Sequence, residues 1–210
     1  MLFIRDLNIK QFLSRHPSVG YRRRGWQIVS TSPYVTESMG PRDFRAVITL
    51  SSMAVLALIL CAPWILPYGY VNGLSGHPGV IDFQYVWNEM DPLSAVAYWI
   101  GDILCHQQAE RSPVMNGSQM PVCVRDLFII IGFVIGCVYF LIRRYELKVR
   151  GTAIFFVIAL TILLTDHTFQ SMTGIDLPIS RAITGTLMGI ASAFLLELCI
   201  QIQYTSRSGC

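Results

Sequence analysis

Thiol, imidazole and carboxylate groups are concentrated in two short segments of the chain. Cys105-His106-Gln107 forms the first, and Cys123-Val124-Arg125-Asp126 forms the second, with Cys123 eighteen residues after Cys105. Thiolates, imidazoles and carboxylates bind zinc or copper, so the two segments are candidates for a metal site. The two cysteines alone could instead form a disulfide in an oxidising compartment, or lie buried as two small apolar thiols. All three interpretations stay open at this point.

Long uncharged stretches indicate that a membrane positions these groups. Hydrophobic residues make up 53% of the 210 residues and charged residues 14%, whereas soluble domains carry about 25% charged residues. A helix needs about 20 apolar residues to cross the bilayer core. We therefore predict an all-α polytopic protein with four transmembrane helices, at residues 46–66, 127–142, 152–165 and 182–202. The apolar segment 95–104 is too short to cross and predicts an interfacial helix or a re-entrant segment.

The distribution of lysine and arginine predicts the orientation of these helices. Residues 1–45 contain eight of these basic residues, the loop 143–151 contains four and the tail 203–210 contains one. The loops 67–126 and 166–181 contain two and one. Because basic residues accumulate on the cytoplasmic side of a membrane, we expect both termini to be cytoplasmic. The two loops that are poor in basic residues are then external and ordered, and the N-terminal segment is a basic arm with an amphipathic face.

This topology gathers polar residues from distant parts of the chain on the external face. Beside the two cysteines, the candidate metal ligands are His106, Asp126 and His167. The other polar members of this external cluster are Gln107, Arg111, Arg125, Asp166, Gln170 and Arg181. Arginines that pair with carboxylates would form a structural network, whereas unpaired ones would bind a phosphate or carboxylate head group. The candidate proton carriers are His106, Asp126 and Asp166.

The glycine spacing predicts how the helices pack, and the motifs that the sequence lacks argue against catalysis. Gly132 and Gly136 are four residues apart, as are Gly185 and Gly189, and this spacing predicts close helix packing. The sequence has no phosphate-binding glycine loop, no nucleophile elbow and no zinc-protease helix. We therefore predict no catalytic residues. The basic residues form no stripe that would bind nucleic acid, so nucleic acid is not an expected partner.

Motifs in the second half of the chain resemble a known family. The order Cys-His-Gln at 105–107, Glu-Arg-Ser at 110–112 and Cys-x-Arg at 123–125 is similar to the domain of unknown function 2085 (DUF2085) family. The resemblance covers about residues 100–200 and continues through Asp166, Gln170, Arg181, Thr184, Gly185 and Gly189. It implies a small polytopic protein of a prokaryotic cytoplasmic membrane, and no established activity. The family usually has a second cysteine where Asp126 stands, so a family ligand set would lack one thiolate here.

Two functions follow as hypotheses. In the first, the protein is a non-catalytic subunit that stabilises or docks within a larger membrane complex, such as one of electron transport. In the second, the external cluster binds a metal, with zinc or copper as the candidate, or a lipid head group, for transport or chemistry. The lipid bilayer is the expected environment in both, and other membrane subunits are the expected partners in the first.

Overall fold

The computed structural model describes residues 40–77, 81–143 and 145–208, and the side chains among them up to residue 206. Most of the predicted N-terminal arm, residues 1–39, lies outside the described part. Six α-helices and a short hairpin follow one another in this part: α1 (Pro41–Ile65), α2 (Gln84–Trp87), α3 (Pro92–Leu104), β1 (Val114–Met115), β2 (Ser118–Gln119), α4 (Val124–Ile142), α5 (Val149–Thr173) and α6 (Pro178–Ser208). A single turn of 3-10 helix, Ala109–Arg111, precedes β1.

Four of these helices, α1, α4, α5 and α6, are long and apolar enough to cross a membrane. Their most apolar windows have mean hydropathies of 1.8 to 2.2, so the prediction of an all-α polytopic protein with four candidate spans is confirmed. The helix of the third predicted span, 152–165, is longer at both ends than its apolar stretch. It continues to Thr173 because Asp166 and Gln170 find hydrogen-bond partners within the fold and therefore need not leave the helix.

Helices α4 and α6 form the closest contact of the bundle, and glycines make that contact possible. A Cβ atom on Gly189 would lie 2.1 Å from the carbonyl oxygen of Ile129, and one on Gly132 would lie 2.3 Å from that of Thr186. Gly136 and Gly185 are also close to the opposite helix. A Cβ atom on Gly136 would lie 2.4 Å from the Cβ of Ala193, and one on Gly185 would lie 2.6 Å from the carbonyl oxygen of Arg125. The two backbones therefore touch, as small residues permit in a membrane where no water drives helices together.

Hydrogen bonds at one end of the bundle connect the first helix, the last helix and the loop between α4 and α5. Arg45 donates from Nε and Nη2 to the two carboxylate oxygens of Glu197, at 2.8 and 2.5 Å. Gln201, one turn further along α6, bonds the carbonyl of Tyr145 and the backbone N–H of Leu147. We call this the basic end, since the start of α1 and the loop 143–148 meet here.

Residues 66–77 and 81–123 form an ordered cap over the opposite end, which we call the capped end. Asp91 is the N-cap residue of helix α3, and its carboxylate accepts the backbone N–H groups of Leu93 and Ser94. Hydrogen bonding from Ser94 lowers the pKa of Asp91 below its ordinary value, which keeps this N-cap charged and bonded at neutral pH. The helix covers the predicted interfacial segment 95–104 and starts three residues earlier.

The interior of the cap combines stacked aromatic rings with buried amides. Trp87 and Tyr98 stack with ring centroids 5.1 Å apart, and both are almost fully buried. The Tyr98 hydroxyl donates to the carbonyl of Gln119 at 2.6 Å, and burial raises the pKa of that hydroxyl above its ordinary value. Asp102 accepts the indole N–H of Trp87 at 2.9 Å and the backbone N–H of Phe83 at 3.2 Å. These bonds fix the cap as a folded unit rather than a loose loop.

Candidate functional site

A cavity of about 280 Å³ opens at the capped end, between the cap and the adjoining ends of α4, α5 and α6. Two leucines, Leu104 and Leu163, contribute its apolar wall. The rest of the lining is polar and consists of Cys105, His106, Gln108, Arg111, Cys123, Arg125, Asp126, His167 and Arg181. Most of the external cluster predicted from topology therefore meets around one space.

Arg125 is held in place by two residues at the far end of α5. It lies in the first turn of α4, and its Nη2 donates to Asp166 Oδ2 at 2.8 Å. Its Nη1 lies 2.8 Å from His167 Nδ1, which accepts the guanidinium N–H. A histidine nitrogen that accepts this bond carries no proton of its own, so Arg125 favours the neutral tautomer of His167 with the proton on Nε2.

Asp166 is the centre of the polar network behind the cavity wall. Its Oδ1 accepts the amide of Gln170 at 2.8 Å, which is the pairing that four-residue spacing on a helix allows. The hydroxyl of Ser180 donates to the same oxygen, and the hydroxyl of Thr184 lies 3.4 Å from Oδ2. With Arg125, four side chains from three helices bind one carboxylate. Ser180 was not predicted as a site residue, because a serine near a helix start has many ordinary explanations.

The other two arginines of the cavity wall have different environments. Arg181 lies in the first turn of α6, is 3% exposed, and forms an ion pair of 2.6 Å with Asp176 just before that helix. Arg111 comes from the single 3-10 turn in the cap and is half-buried. Its guanidinium group forms no hydrogen bond or ion pair with any side chain in the described ranges.

Cys105, Cys123 and Asp126 form a compact group in the cavity wall. One ligand atom from each lies within 4.8 Å of the other two. The backbone N–H of Cys123 donates to Cys105 Sγ at 3.3 Å, and the Cys123 thiol donates to Asp126 Oδ2 at 3.1 Å. Hydrogen bonding with Cys123 and burial raise the pKa of the Cys105 thiol. Both cysteines are free thiols in the structure, so the disulfide stays a prediction.

The remaining candidates divide between the cavity and the cap. His106 and His167 line the cavity and are exposed, but neither ring belongs to the compact group of possible metal ligands. Gln107 lies outside the cavity, fully buried in the cap, where its amide donates to the carbonyls of Tyr98 and Pro121. It has a positive φ of 47°, and its backbone carbonyl accepts the Gln119 amide at 2.6 Å. Gln107 therefore orders the segment that carries Cys105.

The fold and the cavity define a polytopic helical membrane protein with an arginine-lined polar cavity at one end of its bundle. Residues 105–195 match the model of a family described as "Predicted membrane protein (DUF2085)", which confirms the resemblance over that range. The matched range begins at Cys105 and contains all of α4, all of α5 and most of α6. It therefore includes every residue that lines the cavity except Leu104. No curated protein and no solved structure matched the chain.

Proposed function

We propose that the cavity at the capped end binds one anionic group, the phosphate of a lipid head group. The observation that carries this proposal is the composition of the wall, in which three arginines face a single carboxylate, that of Asp126. Guanidinium groups are well suited to phosphate because their planar N–H donors match its oxygens in pairs. His167 lies in the same wall and offers a further N–H donor from Nε2 in the neutral tautomer that Arg125 favours.

The carboxylates that pair with two of these arginines lie outside the cavity wall. Asp166 binds Arg125 and Asp176 binds Arg181, yet neither carboxylate is part of the cavity wall. Each ion pair fixes a guanidinium group while leaving other N–H donors of the same group unused. Arg125 Nε is buried and has no partner among the described residues. A buried donor without a partner costs about 1–3 kcal/mol, and an anion in the cavity would recover that free energy.

The size and position of the cavity favour a head group over a larger ligand. Cavities for drug-sized molecules measure roughly 300–1,000 Å³, and this one, at about 280 Å³, has room for a head group. It lies where three candidate spans end, which is the level of lipid phosphates in a bilayer. Leu104 and Leu163 provide apolar surface beside the arginines, as a ligand with a polar head and an apolar tail requires.

Arg111→Gln tests the proposal with the least structural disturbance, because this guanidinium group has no partner in the described part of the chain. The wild-type protein in neutral phosphatidylcholine nanodiscs should gain thermal stability when phosphatidylglycerol is added, since a ligand stabilises the state that binds it. Losing one charge-assisted hydrogen bond costs about 1.5–3 kcal/mol. We therefore expect Arg111→Gln to weaken the apparent affinity for phosphatidylglycerol by roughly ten- to hundredfold.

A matched control and a second titration complete this experiment. Arg150→Gln removes an exposed arginine from the start of α5, at the basic end, and should leave the stabilisation unchanged. Inorganic phosphate added to neutral nanodiscs distinguishes a soluble anion from a lipid, because only a soluble ligand would stabilise the protein there. The proposal fails if neither anion stabilises the wild type, or if Arg111→Gln responds as the wild type does.

We also propose that the capped end is external and both termini are cytoplasmic, in the cytoplasmic membrane of a prokaryote. Supporting this, the described residues at the basic end include Arg42, Arg45, Arg143, Lys148 and Arg150. In contrast, the described residues at the capped end include three arginines, Arg111, Arg125 and Arg181. The positive-inside tendency therefore favours this orientation.

Two exposed glutamates at opposite ends of the bundle provide a test of orientation. Glu110→Cys, in the cap, is expected to react with a membrane-impermeant maleimide added to intact cells. Glu146→Cys, in the loop between α4 and α5, should react only after the membrane is permeabilised. Labelling is scored as the increment over the unmodified chain, which has its own thiols. The reverse pattern would show that the capped end is cytoplasmic.

A role as a non-catalytic subunit of a larger membrane complex stays a prediction. Its support is the exposed apolar surface of the long helices, such as Ile154, Val157 and Ile158 on α5. Lipid chains cover such a surface as readily as a partner helix does. The cavity wall, in contrast, requires a ligand with a particular charge, and we therefore give head-group binding precedence.

A further inference from the structure

We propose that Cys105, Cys123 and Asp126 form a binding site for one thiophilic divalent cation, with Zn²⁺ as the ion that fits best. The proposal goes beyond head-group binding and does not depend on it. Its basis is the convergence of two sulfur atoms and a carboxylate oxygen within 4.8 Å of one another, in the wall of an accessible cavity.

The distances between these three ligand atoms are close to the distances between the ligand atoms of a zinc site. Zn–S bonds of about 2.3 Å and Zn–O bonds of about 2.0 Å place tetrahedral ligand atoms at most about 4 Å apart. The three atoms therefore need to close by less than an ångström or so for a cation to bind them together. Cys123 and Asp126 are both half-buried, so their side chains are less confined than that of the buried Cys105.

Rigid elements carry all three ligands. Cys105 is the C-cap residue of α3, and its backbone N–H donates to the carbonyl of Gly101 at 2.8 Å. Cys123 is the N-cap residue of α4, and Asp126 lies in the first turn of that helix. A spacing of three residues at a helix start brings two side chains to the same face. The buried Gln107 then holds the loop after Cys105 against the cap, so the backbone keeps the three ligands close together before a cation enters.

The charges around the site also suit a bound cation. Two thiolates and one carboxylate carry three negative charges, and a divalent cation leaves one, which the neighbouring arginines of the cavity wall can balance. Binding releases the two thiol protons to solvent, as it does in other thiolate sites. The backbone N–H of Cys123, which points at Cys105 Sγ, donates to the thiolate that forms. Because the three ligands line the cavity, the fourth coordination position is open to water.

Zinc content and zinc affinity of the whole protein test this assignment. We expect the protein, purified without a metal-affinity tag, to contain about one zinc ion per chain by mass spectrometry of the native protein. After chelator treatment, titration with Zn²⁺ alone should restore one tightly bound ion. Cys123→Ser should weaken the affinity at least about hundredfold, and Asp126→Asn about tenfold, since each removes an ionised ligand. Cys61→Ser removes an exposed thiol of α1, away from the cavity, and should change nothing.

Three results would overturn the assignment. The first is an unchanged zinc affinity in both Cys123→Ser and Asp126→Asn. The second is no zinc binding to the wild type. The third is a Cys105–Cys123 disulfide in protein alkylated directly in the membrane without a reductant, because a disulfide removes both thiolates. Asp126→Asn keeps the test decisive if a cysteine variant fails to fold, since Asp126 is half-buried and its replacement has the same shape.

Discussion

Gly189→Ala is expected to destabilise the protein by roughly 1–3 kcal/mol, the range for overpacking a tight contact. A Cβ atom at this position would lie 2.1 Å from the backbone oxygen of Ile129 and 2.7 Å from the backbone nitrogen of Phe133. Backbone atoms inside a helix cannot rotate away, so α4 and α6 must separate to accommodate one methyl group. The free energy of unfolding in mixed detergent micelles, measured by loss of helical circular dichroism, gives the size of the effect.

Gly151→Ala is the matched control, and its expected effect has the opposite sign. Gly151 also lies inside a helix, near the start of α5, but a Cβ atom there would meet nothing within 4 Å. Alanine stabilises a helix by up to about 1 kcal/mol relative to glycine. This variant should therefore be as stable as the wild type or slightly more stable. Equal destabilisation of both variants would mean that α4 and α6 are not in backbone contact.

Glu197→Ala should destabilise the protein by roughly 3–5 kcal/mol, the cost of leaving one charge of a buried ion pair without its partner. Glu197 is 4% exposed and binds two nitrogen atoms of Arg45 and the amide of Gln201. Its removal leaves Arg45 charged at the basic end without the carboxylate that both of its donors bind. The same unfolding measurement is suitable, and Glu146→Ala, an exposed glutamate at the same end, should change stability by less than about 0.5 kcal/mol.

The double variant Arg45→Met with Glu197→Met separates the ion pair from the cost of an isolated charge. Replacing both members with apolar side chains of similar length removes the unpaired charge, so much of the lost stability should return. A double variant as unstable as the sum of the two single variants would show that the two side chains do not interact. In that case the first helix and the last helix are not joined at this end.

The sequence was sufficient to predict the four candidate spans, because a bilayer requires long apolar stretches whatever the packing inside. It was less accurate for the ends of the helices. Asp166, His167 and Gln170 were excluded from the third predicted span because polar residues are unfavourable in a membrane. In the structure all three remain helical, since Arg125 binds Asp166 and His167, and Ser180 binds Asp166. Those partners lie on other helices and leave no local pattern.

The candidate site could also be predicted only in part, because its residues come from several elements that are distant in the chain. Topology alone placed Arg111, Arg125 and Arg181 at one end of the bundle, and the structure has all three around one cavity. Gln107 was grouped with them by its position in the chain, whereas its left-handed backbone conformation buries it in the cap. Local sequence does not encode that conformation, because it depends on hydrogen bonds to Tyr98 and Pro121.

The pairing of Glu197 shows the limit of the prediction most clearly. The sequence places a single carboxylate near the end of an apolar stretch, and such a charge must find a partner or stay at the interface. Its partner, Arg45, is 152 residues away in the chain. Arg42 at the same end carries the same charge, so residue type alone does not choose between them.

Native mass spectrometry of protein released from nanodiscs of equal phosphatidylcholine and phosphatidylglycerol content tests head-group binding most directly. The cavity wall predicts one retained phosphatidylglycerol molecule per chain, lost in large part from Arg111→Gln and kept by Arg150→Gln. Release of the wild-type chain without lipid would contradict the proposal. Retention of the two lipids in their bulk proportion would contradict it equally, since an arginine-lined cavity must select the anionic lipid.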